Sequence, residues 1–310
     1  MIRKLLALLL ALSVLAGCSS KADNNKTINL GYLPITHALS VFETKEILDQ
    51  KNVHIKLTKF NNWADLMDAL NAGRIDGASV LVELAMKAKS NGIDLKAVAL
   101  GHKDGNVIIA KKDIKNLSDL KGKTIAIPHA QSSHNILIQL ALEKAHLSKN
   151  DVKIIQLAPS EMPSSLNSGA IDAYCVAEPF GAVAINTKIG HVLKTSEELW
   201  QNSICCAMVF NNAAITKKQT QINQVISAYK QAGKKLAKRK EAMRIASKYL
   251  GQDKAVLKQS LAWIHFDDLT LTQEDYDNLA LKVKQDGINP NPPSYQDFIY
   301  QGANAHGENT

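Results

Sequence analysis

Cysteine is scarce in this chain, with four in 310 residues. Cys18 falls in a leader described below, and the other three, Cys175, Cys205 and Cys206, are too few and too oddly numbered for a disulfide framework. Adjacent Cys205 and Cys206 would form a strained bond with each other. No Cys-x-x-Cys pair or Cys/His run has zinc-site spacing. The three cysteines therefore read as small buried hydrophobes in two apolar runs, Ala173–Ala177 and Ile204–Phe210, and neither a metal nor a cofactor is expected. A Gly-x-Ser-x-Gly elbow is also missing, which argues against a surface hydrolase. Beyond residue 15 no apolar run reaches the roughly 20 residues that a membrane-spanning helix needs. Low-complexity blocks are absent, excluding disordered and collagenous classes.

Aromatic residues amount to 5%, and charge of neither sign dominates: 37 Lys+Arg face 29 Asp+Glu, a net +8 that falls to +6 without Arg3 and Lys4. Much of the excess lies between Lys230 and Lys248, where Tyr229, Ala232, Leu236, Ile245 and Tyr249 recur at helical spacing, so the lysines form a solvated face. With no basic-aromatic groove and no zinc-finger spacing, no nucleic-acid partner is expected.

What is present begins with a leader. Arg3 and Lys4 precede an apolar run from Leu5 to Leu15, the pattern of a secretory h-region. It ends in Leu15-Ala16-Gly17-Cys18, which resembles the lipobox of bacterial lipoproteins. That resemblance implies a signal peptide over 1–17, acylation of Cys18 and a tether through residues 18–27, anchoring an exported body to the outer face of the cytoplasmic membrane. Acyl chains hold such a body at about 0.8 kcal/mol per buried CH₂.

The body is long enough for two lobes of about 100–150 residues. Strand-like and helical patterns alternate: Ile28–Leu33, a helix over 38–50, Val53–Phe60, a helix over 63–72, Gly77–Val80, a helix over 81–91, Leu95–Leu100 and Val107–Ala110. A second series runs through Thr124–Ile127, a helix over 132–146, Val152–Leu157, a helix ending near Leu166, and Ala173–Ala177. Such a rhythm predicts an α/β fold of parallel sheets flanked by helices. The two series also share a repeat. Leu70-Asn71-Ala72-Gly73-Arg74-Ile75-Asp76 matches Leu166-Asn167-Ser168-Gly169-Ala170-Ile171-Asp172 at an offset of 96, reading as a helix end with a left-handed Gly cap and an Asp leading into a strand. Mostly helical sequence follows Ile204–Phe210. The expected lobes are 28–111 with 202–310, and 112–201, with hinge crossings near Lys111 and Gln201.

Gly31-Tyr32-Leu33-Pro34-Ile35-Thr36-His37-Ala38, the Leu-Asn-x-Gly-x-Ile-Asp repeat, and Ala177-Glu178-Pro179-Phe180 together resemble the nitrate, sulfonate, taurine and thiamine-precursor branch of ABC-importer solute-binding proteins. This resemblance implies the type II periplasmic-binding-protein fold, a ligand cleft between two hinged lobes, and ABC permease and ATPase partners for a monomer that performs no chemistry. An enzyme on the same fold, such as the thiamine-pyrimidine synthases, is the alternative, although their Cys-rich motif is absent because Cys205-Cys206 continues as Ala207-Met208. A sensor or adhesion lipoprotein is a third reading.

Ligand contacts are sought where loops leave strand C-terminal ends and helices begin. Thr36 and His37 follow the first strand, Asn62 and Trp63 (after Asn61) the second, Ser79 the third and His102 the fourth. In the second lobe Gln131, Ser132, Ser133 and His134 open a helix, where hydroxyls act as caps or as an anion cradle. Glu178 either faces the cleft, favouring a ligand with an amine, or caps a backbone N–H group. His37, Ser132 and Ser133 suit tetrahedral anions, so a small organic sulfonate stands slightly ahead of nitrate, taurine or pyrimidine solutes.

Overall fold

The structure, a computed structural model, describes residues 27–51 and 53–303. The leader, Cys18 and the tether as far as Lys26 lie outside the described residues. In chain order the first lobe runs β1 (Ile28–Tyr32), α1 (Leu39–Asp49), β2 (Ile55–Lys59), α2 (Trp63–Asn71), β3 (Gly77–Leu81), α3 (Val82–Ser90) and β4 (Leu95–Leu100). After the short β5 (Lys103–Asp104) come β6 (Asn106–Ala110), β7 (Thr124–Ile127), α4 (Ser133–Lys144), β8 (Lys153–Gln156), α5 (Met162–Ser168), β9 (Ala173–Ala177), α6 (Phe180–Asn186), β10 (His191–Thr195) and α7 (Ser196–Leu199). The chain then returns through β11 (Cys206–Asn211), α8 (Asn212–Lys217), α9 (Gln219–Leu236), α10 (Arg239–Leu250), α11 (Lys254–Ser260), β12 (Ile264–His265), α12 (Gln273–Gln285) and α13 (Tyr295–Phe298).

Two five-stranded sheets result, ordered β2-β1-β3-β11-β4 and β8-β7-β9-β6-β10. They are built alike. In each, four strands run in one direction and a single antiparallel strand from the crossover lies among them, β11 between β3 and β4 and β6 between β9 and β10. The central strands β3, β6 and β9 are buried along their whole length, which is why they read as continuous apolar runs rather than alternating ones.

One boundary differs from expectation. As sequence, Val107–Ala110 belongs to the first lobe with a crossing near Lys111, but β6 pairs with β9 and β10, so the chain leaves the first sheet after Leu100 and joins the second at Asn106. Nothing local distinguishes the two assignments, because strand partnership is set by long-range pairing. The return crossing lies between α7 and β11, close to Gln201.

Both repeats mark the same corner. Gly73 and Gly169 adopt φ of +67° and +81°, left-handed positions at the ends of α2 and α5 where a Cβ would be strained. Asp76 then accepts from the Asn29 N–H at 2.7 Å, and Asp172 from the Thr124 N–H at 2.9 Å, each tying its strand to the start of the first strand of its sheet. Lys218 pairs with Asp76 at 2.9 Å and Lys111 with Asp172 at 2.8 Å.

The helical tail packs back on the first lobe. Ile222, Val225, Ile226 and Tyr229 of α9 share a core with Val41, Ile47 and Leu48 of α1, while buried Glu43 of α1 is paired by Lys235 and Arg244. Among the described residues no helix is long and apolar enough to cross a membrane.

Candidate functional site

The sheet topology brings sequence-distant residues to one edge. In the first sheet β1 and β3 are parallel, and β11 runs against both β3 and β4, with Cys206 opposite Leu81 and Ala207 opposite Leu100. The C-terminal ends of β1, β3 and β4 and the beginning of β11 therefore coincide. His37 lies in the 3-10 turn Thr36–Ala38 after β1, Glu83 two residues past β3, His102 two past β4, and Cys205 and Cys206 at the head of β11. The second sheet presents the matching edge, where Asn106 begins β6 opposite Ala177 at the end of β9, and Glu178 follows.

These two edges meet. Thr36 donates both its N–H (2.8 Å) and its hydroxyl (3.1 Å) to the Glu178 carbonyl. His37 Nε2 lies 3.2 Å from the Gly105 carbonyl, which requires Nε2 to carry the proton and leaves Nδ1 as a lone pair. Ile136 and Ala177 of the second lobe are packed into the first lobe's core. The lobes are closed on each other.

At the junction, His37, His102, Cys205 and Cys206 are all fully buried, and one ligand-type atom from each lies within 4.8 Å of the others. Cys206 Sγ is 3.6 Å from His37 Nδ1 and 3.9 Å from Cys205 Sγ, and the two imidazole rings lie 3.6 Å apart at 36°. Around them stand buried polar atoms with no hydrogen-bond partner: both nitrogens of His102, both of His134, both oxygens of Glu83, Nδ2 of Asn106 and the hydroxyl of Ser133. Such orphans each cost about 1–3 kcal/mol. Concentrated at one point between two lobes, they mark a place built for a ligand.

Electrostatics at this point follow from burial. It depresses His37 to about 4, with His102 adding to the effect, and lowers His134, so both rings are neutral near pH 7. Burial, and next the Cys205 sulfur, raise the Glu83 carboxyl well above the carboxylate range. Burial also raises both thiols, but at Cys205 the hydrogen bond with Cys206 leads the influences that outweigh it and hold that thiol below its ordinary range.

Of the residues singled out in the sequence, His37 and His102 fall in this cluster, and His134 and Ser133 are among the buried unpartnered groups around it. Thr36 latches the lobes, and Ser79 is buried within β3. Ser132 is occupied as a helix cap, accepting from Asn135 N at 3.3 Å and donating to the His129 carbonyl at 2.6 Å. Gln131, half-buried, donates its N–H to His129 Nδ1. Asn62 caps α2 through the Asp65 N–H at 2.9 Å, and Trp63 is buried in the first lobe's core. Asn61 lines a separate cavity of about 260 Å³ at the lobe junction, with Leu33, Ile35, Ser160 and Phe180. Glu178 bonds the first turn of α6, its Oε2 accepting from Ala182 N–H at 3.0 Å and from the Ser260 hydroxyl at 2.8 Å, while its Oε1 is buried without a partner. The residues missed were Cys205, Cys206, Glu83 and Asn106. Reading the cysteines as small hydrophobes identified their burial but not their neighbours, since Cys206 meets His37 across 169 positions of sequence.

Comparisons with known proteins agree with this architecture. The zinc-bound ligand-binding component of an ABC-type import system from Staphylococcus aureus is 37% identical, with a TM-score of 0.87 over 92% of this chain and 100% of its own. The periplasmic nitrate-binding protein NrtA of Synechocystis PCC 6803 shares the fold at 17% identity, with a TM-score of 0.77 over 88% of this chain and 84% of its own. The two-lobed periplasmic-binding-protein fold expected from the resemblance is thus the observed one. Among curated relatives, the nitrate import ATP-binding protein NrtC of Synechocystis is 26% identical over 196 residues, covering 56% of this chain. The chain spans 29% and 30% of the lengths of the first curated relatives it matches. Residues 21–251, well over half of the sequence, match the NMT1-like family, to which the chain belongs.

Proposed function

We propose that this chain is the extracytoplasmic solute-binding component of an ABC importer, which captures a small solute between its lobes and presents the closed form to a permease. The observation that carries the reading is the enclosed cluster of unpartnered polar groups where the two sheet edges meet. Hinge closure of two lobes on a ligand accounts for such a cluster and requires no nucleophile or proton relay. The full-length likeness to a ligand-binding component of an ABC-type import system supports it. The structural neighbours named for nitrate and for aliphatic sulphonate are likewise binding proteins, which supports the same role for this chain. The lobes are taken as 28–100 with 206–303, and 106–199, joined through 101–105 and 200–205. Acylation of Cys18 would hold the body at the membrane.

Isothermal calorimetry on the full chain in detergent, against solutes from the host's medium, tests the reading. Saturable binding of one solute per chain, with the solute recovered unchanged, is expected; recovery of a converted product would replace it with the enzyme reading. Intact mass spectrometry of protein from its host is expected to find acyl chains on Cys18 and to lose them in Cys18→Ala.

A further inference from the structure

The geometry points to a soft divalent cation of the Zn²⁺ class as the solute of this cleft, held by His37, His102, Cys205 and Cys206. Two thiolates and two imidazoles are a preferred zinc donor set. All four donor atoms lie within 4.8 Å of one another, and two of the edges match a single ion: a tetrahedron with Zn–S of about 2.3 Å and Zn–N of about 2.0 Å has S···S edges of about 3.8 Å and S···N edges of about 3.5 Å. The edges between Cys205 and Cys206 Sγ and between Cys206 Sγ and His37 Nδ1 measure 3.9 and 3.6 Å. His37 is also set as a ligand, because donation from Nε2 to the Gly105 carbonyl fixes the ring and aims the Nδ1 lone pair at the sulfurs, an arrangement typical of metal-bound imidazoles.

The surroundings agree. Both His102 nitrogens are buried without a partner, which a cation would relieve at one of them. Glu83 adds a buried carboxyl on the same side. No lysine or arginine among the described residues is buried, so the excess positive charge of the chain lies elsewhere and offers this cluster nothing that would hold an anion. Two thiolates cancel the charge of a divalent ion, leaving a neutral complex in a dry site, where an unbalanced charge is costly. All four donors come from the first sheet's edge, and they are covered by the second lobe through the Thr36–Glu178 contact and by the crossing through the His37–Gly105 contact. Capture by one lobe and closure by the other follows.

As cargo, the ion rests on the binding-protein reading, and the experiment separates the two. Full-length protein in detergent, reduced and stripped of metal, is titrated with ZnCl₂ against a chromophoric zinc indicator, and with CoCl₂ while absorption is recorded. One Zn²⁺ per chain is expected, with thiolate-to-cobalt charge-transfer bands and the intense visible bands of tetrahedral Co²⁺. Cys206→Ser and His102→Gln should each weaken Zn²⁺ binding by at least about a hundredfold, while Cys175→Ser, buried in β9, leaves it unchanged; circular dichroism verifies that each variant is folded. Failure of the unmodified protein to bind one equivalent, or undiminished binding in folded His102→Gln, overturns the assignment. Small-angle scattering then reads closure. A smaller radius of gyration with Zn²⁺ supports it as solute, whereas Zn²⁺ binding without compaction makes the ion a fixed structural one and overturns the cargo assignment. Compaction by nitrate or an alkanesulfonate, without Zn²⁺ binding, overturns the metal and keeps the binding-protein reading. No binding and no compaction with any of them overturns both.

Discussion

Glu178 illustrates how a single side chain serves architecture at a site boundary. Its carboxylate is fully buried, holds α6 through Ala182 N–H and reaches Ser260 of α11, so it joins the second lobe to the tail of the first. Burial raises it to about 7 against the hydrogen bonds from Ala182 and Ser260, and Tyr174 is the titratable group beside it. Because the folded value lies above the unfolded one, the folded state holds the proton more tightly. Its contribution to stability is present below about pH 4.5 and is lost as pH rises toward 7. Glu178→Gln keeps an acceptor for Ala182 and Ser260 without the charge. Thermal unfolding of the two proteins at pH 5 and pH 7.5 should find the variant gaining on the unmodified chain by on the order of 3 kcal/mol across that interval; parallel pH profiles would show that the carboxyl does not titrate there. The sequence left open whether Glu178 faces the cleft or caps a helix, and the same ambiguity attached to Ser132 and Ser133. Caps and ligand contacts use the same residue types at the same helix N-termini, so only three-dimensional neighbours separate them.

At the scale of elements, the repeat was the most legible feature, because its residues act locally. Each copy ends a helix with a left-handed glycine and turns into a strand with an aspartate that fastens an N–H at the start of the neighbouring strand. Burial pushes Asp172 up, but Lys111, the Thr124 N–H and Lys123 together outweigh it and hold the carboxyl below its ordinary range. With the folded value depressed, this support is present above about pH 4 and is lost as pH falls through the folded value. Asp172→Ala should cost about 2–3 kcal/mol at neutral pH by removing charge-assisted bonds to two partners, and urea unfolding at pH 7 and pH 3 should find the penalty shrinking in acid. An unchanged penalty would assign it to packing alone. The partnership of β6 was illegible for the opposite reason. Val107–Ala110 has the same apolar character whichever sheet it joins, and the choice is made by β9, more than sixty residues away. The cysteine-histidine cluster shares that illegibility, since its members are adjacent only because β11 returns antiparallel beside the ends of β3 and β4.

For the whole molecule, the relation of the two lobes depends on a pair of short crossings, and Asp104 ties them together. Its N–H donates to the Ser203 carbonyl at 2.8 Å, and its Oδ1 accepts from the Ser203 N–H (3.1 Å), the Ser203 hydroxyl (2.9 Å) and the Ser196 hydroxyl (3.3 Å). The residue is buried and adopts φ of +55°, a conformation that Asp and Asn tolerate better than other side chains. One carboxylate thus holds the outgoing and returning chains side by side, next to Gly105, whose carbonyl orients His37. A hinge of this kind should bend without fraying. Removing the carboxylate breaks three acceptor contacts and adds backbone strain, so Asp104→Ala should lose about 3 kcal/mol. Asp104→Asn, which retains the side-chain oxygen and the tolerance for positive φ, should lose less than half of that. The global loss alone does not locate the effect. Hydrogen exchange does: in Asp104→Ala the Asp104 and Ser203 amides should exchange faster by at least about tenfold relative to amides in β7 and β9, deep in the second lobe. Equal acceleration everywhere would mean that Asp104 supports general stability rather than the crossings. Selective acceleration would place the mobile point of the molecule between its two sheets, beside the buried cluster that closure encloses.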